Sequence, residues 1–177
     1  MMQAKNKDGL TRLQVLARSN GRLVTQEPSL TLVVPAMASF ATPFSAQDNL
    51  GGKLAFGAVM TETGGLAFVE SLTLVDRANQ KSAMLLLLFS ADPSGSTLTD
   101  NAATVIADAD DVNLVAAIPI AIADYTTVGA KAVANLKSLH IPIKSGTQSL
   151  WGALVCLGTP TYAAATSLQL TLGLALT

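Results

Sequence analysis

Charge is scarce in this chain, and histidine and cysteine are almost absent. Only 13% of its 177 residues are Asp, Glu, Lys or Arg, against about 25% in an ordinary soluble domain. Half the residues are hydrophobic, and the mean hydropathy is +0.44. A soluble chain with so little charge must have much of its outer surface covered. The economical way to cover it is to make the chain a subunit of an assembly, here expected to be a homo-oligomer, a dimer or trimer.

The other shortages exclude chemistry. There is one cysteine, Cys156, so no intrachain disulfide can form. It lies in Ala153-Leu-Val-Cys-Leu157 and reads as a small buried hydrophobe in a reducing compartment. With one histidine, His140, a Ser-His-Asp triad would need that residue. Its context, Ser138-Leu-His-Ile-Pro142, reads as a strand end, and no Gly-x-Ser-x-Gly turn occurs. A surface or half-buried structural role fits it better. One His and one Cys cannot supply the ligands of a zinc site. The only glutamates, Glu27, Glu62 and Glu70, form no marked carboxylate pair of the glycosidase kind. No phosphate-binding glycine motif is present. The longest apolar run, Met84 to Phe89, falls far short of the roughly 20 residues of a spanning helix. The polar start, MMQAKNKDGLTRLQ, shows no signal-peptide stretch. No catalytic, cofactor-binding or metal-ligating residue is therefore assigned, no cofactor is expected, and no membrane partner.

Charge is also unevenly spread. Residues 1–22 hold five bases, Lys5, Lys7, Arg12, Arg18 and Arg22, against the single acid Asp8. The rest of the chain holds six bases and eleven acids. A basic arm thus precedes an acidic body. The first aromatic is Phe40, so the arm lacks the stacking platforms of a single-strand binder, and nucleic acid is not expected as a partner. Docking of the arm on an acidic protein surface fits better, beside the plain alternative of a solvated terminus. Asp100, Asp108, Asp110 and Asp111 lack the spacing and closing Glu of a calcium loop. They read as capping and solvated aspartates.

Strand signals dominate what is there. In Leu168-Gln-Leu-Thr-Leu-Gly-Leu-Ala-Leu176 every second residue is Leu, which puts Leu168, Leu170, Leu172, Leu174 and Leu176 on one face of a strand. That face must lie in a core or in a self-interface. Ser29 to Val34 and Glu70 to Val75 alternate in the same way. Lys53–Ala58, Met84–Phe89, Val112–Ile122, Lys131–Leu139 and Leu150–Leu157 complete the set. The continuous runs suit strands covered on both faces. Turns are expected at Asn49-Leu-Gly-Gly52, Thr63-Gly-Gly65, Asp92-Pro-Ser-Gly95, Ser145-Gly-Thr147 and Gly158-Thr-Pro160. Asn20-Gly21 predicts a two-residue hairpin. One helical turn is expected near Asp108 to Val112, and a long loop from Pro35 to Gly52. Trp151 reads as core or as an interface anchor, with core as the default. Many short strands with turns between them mean an all-β fold: a β-sandwich, jelly-roll-like, over residues 29–177, behind an N-terminal arm with a hairpin over 1–28.

Three stretches carry a family resemblance. They are Leu85 to Ala103 (LLLLFSADPSGSTLTDNAA) running on to Ile106-Ala-Asp-Ala-Asp110; Leu150 to Ala163 (LWGALVCLGTPTYA) followed by Ser167-Leu-Gln-Leu170; and Leu50-Gly-Gly-Lys-Leu54 leading to Ser71-Leu-Thr-Leu-Val-Asp76 and Gln80. Together, over residues 47–174, they resemble small structural proteins of tailed bacteriophages found beside the major capsid protein. The resemblance implies a virion protein, a capsid decoration or cement protein with a β-sandwich fold, made in the host cytoplasm and located on the capsid surface. Its partners would be the major capsid protein and copies of itself. It supplies no active-site residues, and the first 45 residues carry none of it. The basic arm then becomes the candidate capsid contact. The alternative is a receptor- or glycan-binding head-fibre or tail module on a similar sandwich.

Overall fold

Two large sheets form, beside a two-stranded pair near the N-terminus, because two kinds of strand are encoded: runs that alternate in polarity and runs that do not. The computed structural model describes residues 43–60, 63–164 and 166–176, together with three short strands before them. Those three are β1 (Leu16–Ala17), β2 (Leu23–Val24) and β3 (Ser29–Val33). Then come β4 (Asn49–Ala58), β5 (Leu66–Asp76) and β6 (Met84–Phe89). A single helical turn, α1 (Asp108–Asp111), precedes β7 (Leu114–Ile120). A short 3-10 helix (Ile122–Asp124) leads to β8 (Tyr125–Val128), β9 (Lys131–Lys144), β10 (Ser149–Cys156) and β11 (Leu168–Leu176).

The smaller sheet has four strands in the order β4-β10-β6-β7, and the larger has five in the order β3-β11-β5-β9-β8. Every pairing in them is antiparallel. Their inner faces share one core, to which β4 gives Leu50, Leu54 and Phe56, β6 gives Met84, Leu86 and Leu88, and β5 gives Val69, Leu72 and Leu74. The fold is an all-β sandwich, as expected. Its strand order does not single out a jelly roll.

The leucine face of β11 goes to this core. Leu168, Leu170, Leu172 and Leu174 are buried in it; Leu176 ends the strand. Each buried leucine removes apolar area from water worth roughly 1.5–3 kcal/mol. Of the two roles open to them, Leu168, Leu170, Leu172 and Leu174 take the core.

The outer face of the smaller sheet is covered as well. Residues 90–113 cross it as a strap, tied to themselves by a bridge from Thr97 to Val105 and to the start of β4 by a bridge from Asp48 to Ala103. Leu98 and Ile106 of the strap pack on Leu87, Phe89, Ala153 and Val155. Burial from both sides explains the unbroken Met84–Phe89 run. Gly152 lets β10 close against its neighbours: a Cβ there would lie 2.8 Å from Cε2 of Phe56 and 2.9 Å from the Leu87 carbonyl oxygen.

Several expectations are corrected. Asn49 to Gly52 is strand, not turn. Gly51 (φ 84°), Gly52 (φ 76°) and Gly57 (φ 73°) take left-handed backbone there, and β4 slips register twice against β10 beside them. The glycines make bulges instead of reversing the chain. The same strand ends the expected Pro35–Gly52 loop at Asn49. β8 was not anticipated, and β9 runs on past Leu139 to Lys144. Leu16–Ala17 and Leu23–Val24 pair antiparallel, but a two-residue Asn20-Gly21 turn would set Ala17 opposite Val24. The observed register sets Ala17 opposite Leu23.

Leu172 is fully buried. Leu172→Ala is expected to destabilise the chain by about 2–5 kcal/mol through transfer and cavity terms, read as a lowered midpoint in urea unfolding.

Candidate interaction face

The larger sheet presents the face that the strap leaves alone. Where alternation turns the leucines of β11 inward, it turns Gln169, Thr171 and Gly173 outward. Register extends these into rows across the sheet. Gln169 stands opposite Val75 and Val75 opposite Val133; Thr171 opposite Thr73 and Thr73 opposite Asn135; Gly173 opposite Ser71 and Ser71 opposite Lys137. Lys137 is the only charged side chain in this grid. A side chain at position 173 would run into the Ser71 hydroxyl, and β11 slips register against β5 just after it. Among the described residues, no cluster of buried apolar side chains forms on this side.

Polar groups rim the grid. At one end Arg77 donates to the Thr166 carbonyl (2.6 Å) and to Oε1 of Gln169 (2.5 Å). At the other, β5 and β9 slip register around Glu70. Ser138 (φ 56°) and His140 (φ 49°) take left-handed backbone in the resulting bulge. His140 Nδ1 lies 2.8 Å from Glu70 Oε1, with the imidazole 75% exposed. So His140 sits inside a strand, not at its end, and on the surface. Its partner there is a carboxylate.

The other residues singled out from sequence fall apart spatially. Asp108 and Asp111 are exposed on α1. Asp110 is buried, and its Oδ2 accepts from the Ser96 hydroxyl at 2.7 Å. Asp100 Oδ1 accepts from the Gly51 amide at 2.5 Å. Among the described residues, no three of His, Cys, Asp and Glu gather to hold a metal ion, and no helix is long and apolar enough to cross a membrane. Lys5, Lys7, Arg12, Arg18 and Arg22 lie outside the described residues.

Trp151 is not in the central core. Leu150 and Leu154 of β10 point inward, so the phase of the strand sends Trp151, Ala153 and Val155 to the strap side. There the indole is half-buried, with Lys53 Nζ 5.1 Å from its ring centre. Lys53 also pairs with Asp92 at 2.6 Å. Reading the alternation of β10 in phase with Leu150 and Leu154 would have placed it.

Cys156 is fully buried. Its thiol donates to the Gly158 carbonyl at 3.1 Å and lies 3.5 Å from the Ser82 hydroxyl. Burial pushes its pKa up. Burial, followed by the nearby Asp76 charge, likewise raises that of Tyr125, whose hydroxyl donates to the Ser82 carbonyl at 2.9 Å.

No protein-family model matches this sequence, and no curated protein matches it.

A buried thiol with a raised pKa offers little thiolate to a reagent. Native protein at neutral pH is expected to resist Ellman's reagent, with Cys156 reacting promptly once the chain is unfolded in guanidinium. Fast stoichiometric labelling of the folded chain would contradict the burial described.

Proposed function

We propose that this chain is a non-enzymatic structural subunit of a bacteriophage virion. In this reading it decorates the capsid, packing on the major capsid protein and on copies of itself. The observation that carries the reading is the outer face of the larger sheet: built of Thr, Ser, Val, Gly, Asn and Gln, with Lys137 as the one charge in its grid. It is the surface on which the chain's low charge asks for a cover. Desolvating Thr and Val costs far less than desolvating Lys or Glu, and apolar burial contributes about 25 cal/mol per Å² before ordering costs are subtracted.

The phage-like resemblance adds support. Its words fall on β4, β5, β6, the strap, β10 and β11, and those on β6, the strap and β10 pack together. The arm, with its five bases, would add a salt-sensitive tether to an acidic capsid surface. A second reading, a glycan-binding head-fibre module, draws on the half-buried Trp151 beside the Lys53–Asp92 pair. An indole face flanked by polar groups suits a sugar ring. Glycan binding lost in Trp151→Ala would favour it.

Light scattering on the isolated chain tests the main reading. The chain is expected to be a dimer or trimer. Thr171→Arg, which puts a charge in the middle of the face, is expected to yield a monomer with an unchanged circular-dichroism spectrum and reduced particle binding. A wild-type monomer at micromolar concentration, or a variant that assembles and decorates like the wild type, overturns the proposal. The arm is tested separately by removing residues 1–22. The shortened chain is expected to fold, to bind particles more weakly and to lose salt sensitivity. Equal occupancy on particles would remove the arm from the attachment.

A further inference from the structure

The crossing of the strap over β4 holds a set of polar atoms that the protein itself does not satisfy. Leu50 points into the central core, so its neighbour Asn49 points to the strap side, as does Val155 opposite it. The strap grips Asn49 by its backbone. The Asn49 amide donates to the Ala102 carbonyl, and its own carbonyl accepts from the Asn101 amide, both at 2.9 Å. Asp100 reaches the Gly51 amide with Oδ1, and the Thr104 amide donates to the Gln47 carbonyl at 2.8 Å. Three polar side chains are thereby brought to one crossing. Asn49 is fully buried. Its Oδ1 and Nδ2, Asp100 Oδ2 and Thr104 Oγ1 are all buried without a hydrogen-bond partner. Native proteins seldom leave such atoms unanswered, and four along one crossing call for a guest.

The geometry points to a Ca²⁺ site at this crossing, with Asn49 Oδ1, Asp100 Oδ2 and Thr104 Oγ1 as its protein ligands. A carboxylate, an amide oxygen and a hydroxyl are hard oxygen donors of the kind calcium takes, and waters complete its shell of six to eight. One of those waters accepts from Asn49 Nδ2. Charge separates this guest from water alone. Asp100 Oδ2 is buried without a partner, and Lys53 of β4 is committed to Asp92. Water would satisfy the hydrogen bonds and leave the carboxylate without a countercharge. The ion would tie the strap to β4, so its effect is on how firmly the strap is held. The site stands apart from the interaction face.

The test uses the full chain, stripped with EDTA and titrated with CaCl₂ at constant ionic strength. Calorimetry is expected to show one Ca²⁺ bound per chain, and the melting temperature to rise with calcium concentration. Asp100→Asn is expected to abolish the rise. Asp110→Asn, which alters a carboxylate committed to Ser96, is expected to keep it. Should Asp100→Asn fail to fold, calorimetry on the unaltered chain decides alone. No binding heat together with equal melting in EDTA and calcium overturns the site and leaves water as its occupant. A calcium response that survives Asp100→Asn overturns it too.

Discussion

The inner faces of the two sheets meet through one layer of aliphatic side chains, and every other feature of the molecule is hung on that contact. Leu170 and Leu172 of β11, Leu72 and Leu74 of β5, Leu86 and Leu88 of β6 and Leu150 and Leu154 of β10 lie together in it, fully buried. Without disulfides, the layer has to hold the sandwich by burial and packing alone. It also sets the phase of each strand. Once Leu150 and Leu154 are inside, Trp151 must face the strap; once Leu170 and Leu172 are inside, Thr171 must face out.

The two sheets then diverge in what covers their backs. The smaller sheet is backed by its own strap, and its strands can be apolar on both sides, as Leu85 to Phe89 are. The larger sheet has no such backing among the described residues and keeps the alternating pattern of a one-sided sheet. Ordinarily the free side of such a sheet carries Lys, Glu and Arg. Here it carries Thr73, Thr171, Val75, Val133 and Gln169. The difference between those two compositions is where the chain's missing charge is felt.

Much of this was legible from sequence because it rests on periodicity. The leucines of β11, the double-sided run of β6 and the all-β class follow from spacing; the turn of α1 forms where expected, but its N-cap is Ala107, with no aspartate side chain capping it. What was misread rests on local backbone or on distant contacts. Gly51 and Gly52 look like a turn pair, and only the partner strand shows that they bulge within β4. β8 spans only Tyr125 to Val128, too few residues for a pattern to rise above chance. His140 sits in a register slip fixed by Glu70, seventy residues away. The strap crossing joins Asn49 to Asp100 and Gln47 to Thr104, and no spacing rule links such positions. The place of Trp151 follows from the phase that Leu150 and Leu154 set along β10.

The edges of the sheets bear on how subunits of this kind can join. An open edge with unpaired N–H and C=O groups invites strand addition, and proteins that must not polymerise blunt it. The smaller sheet ends in β4 and β7. β4 is broken by positive-φ glycines and two register slips. β7 carries Pro119 opposite Leu85, a residue with no N–H to offer an incoming strand. On the larger sheet, β8 is a short edge whose last three residues, Thr126 to Val128, are exposed. Three of the four edges are thus poor templates for pairing. A chain built this way gains little by growing edge to edge, as a fibril does. Its sparsely charged broad side can still be covered by a partner without breaking any backbone pairing. Association by the face also closes on itself in a small oligomer, whereas association by an edge leaves a new edge behind. The placement of bulges, proline and short strands at the rim therefore bears on the same question as the missing charge. Both direct the proposed packing to the outer face of the larger sheet.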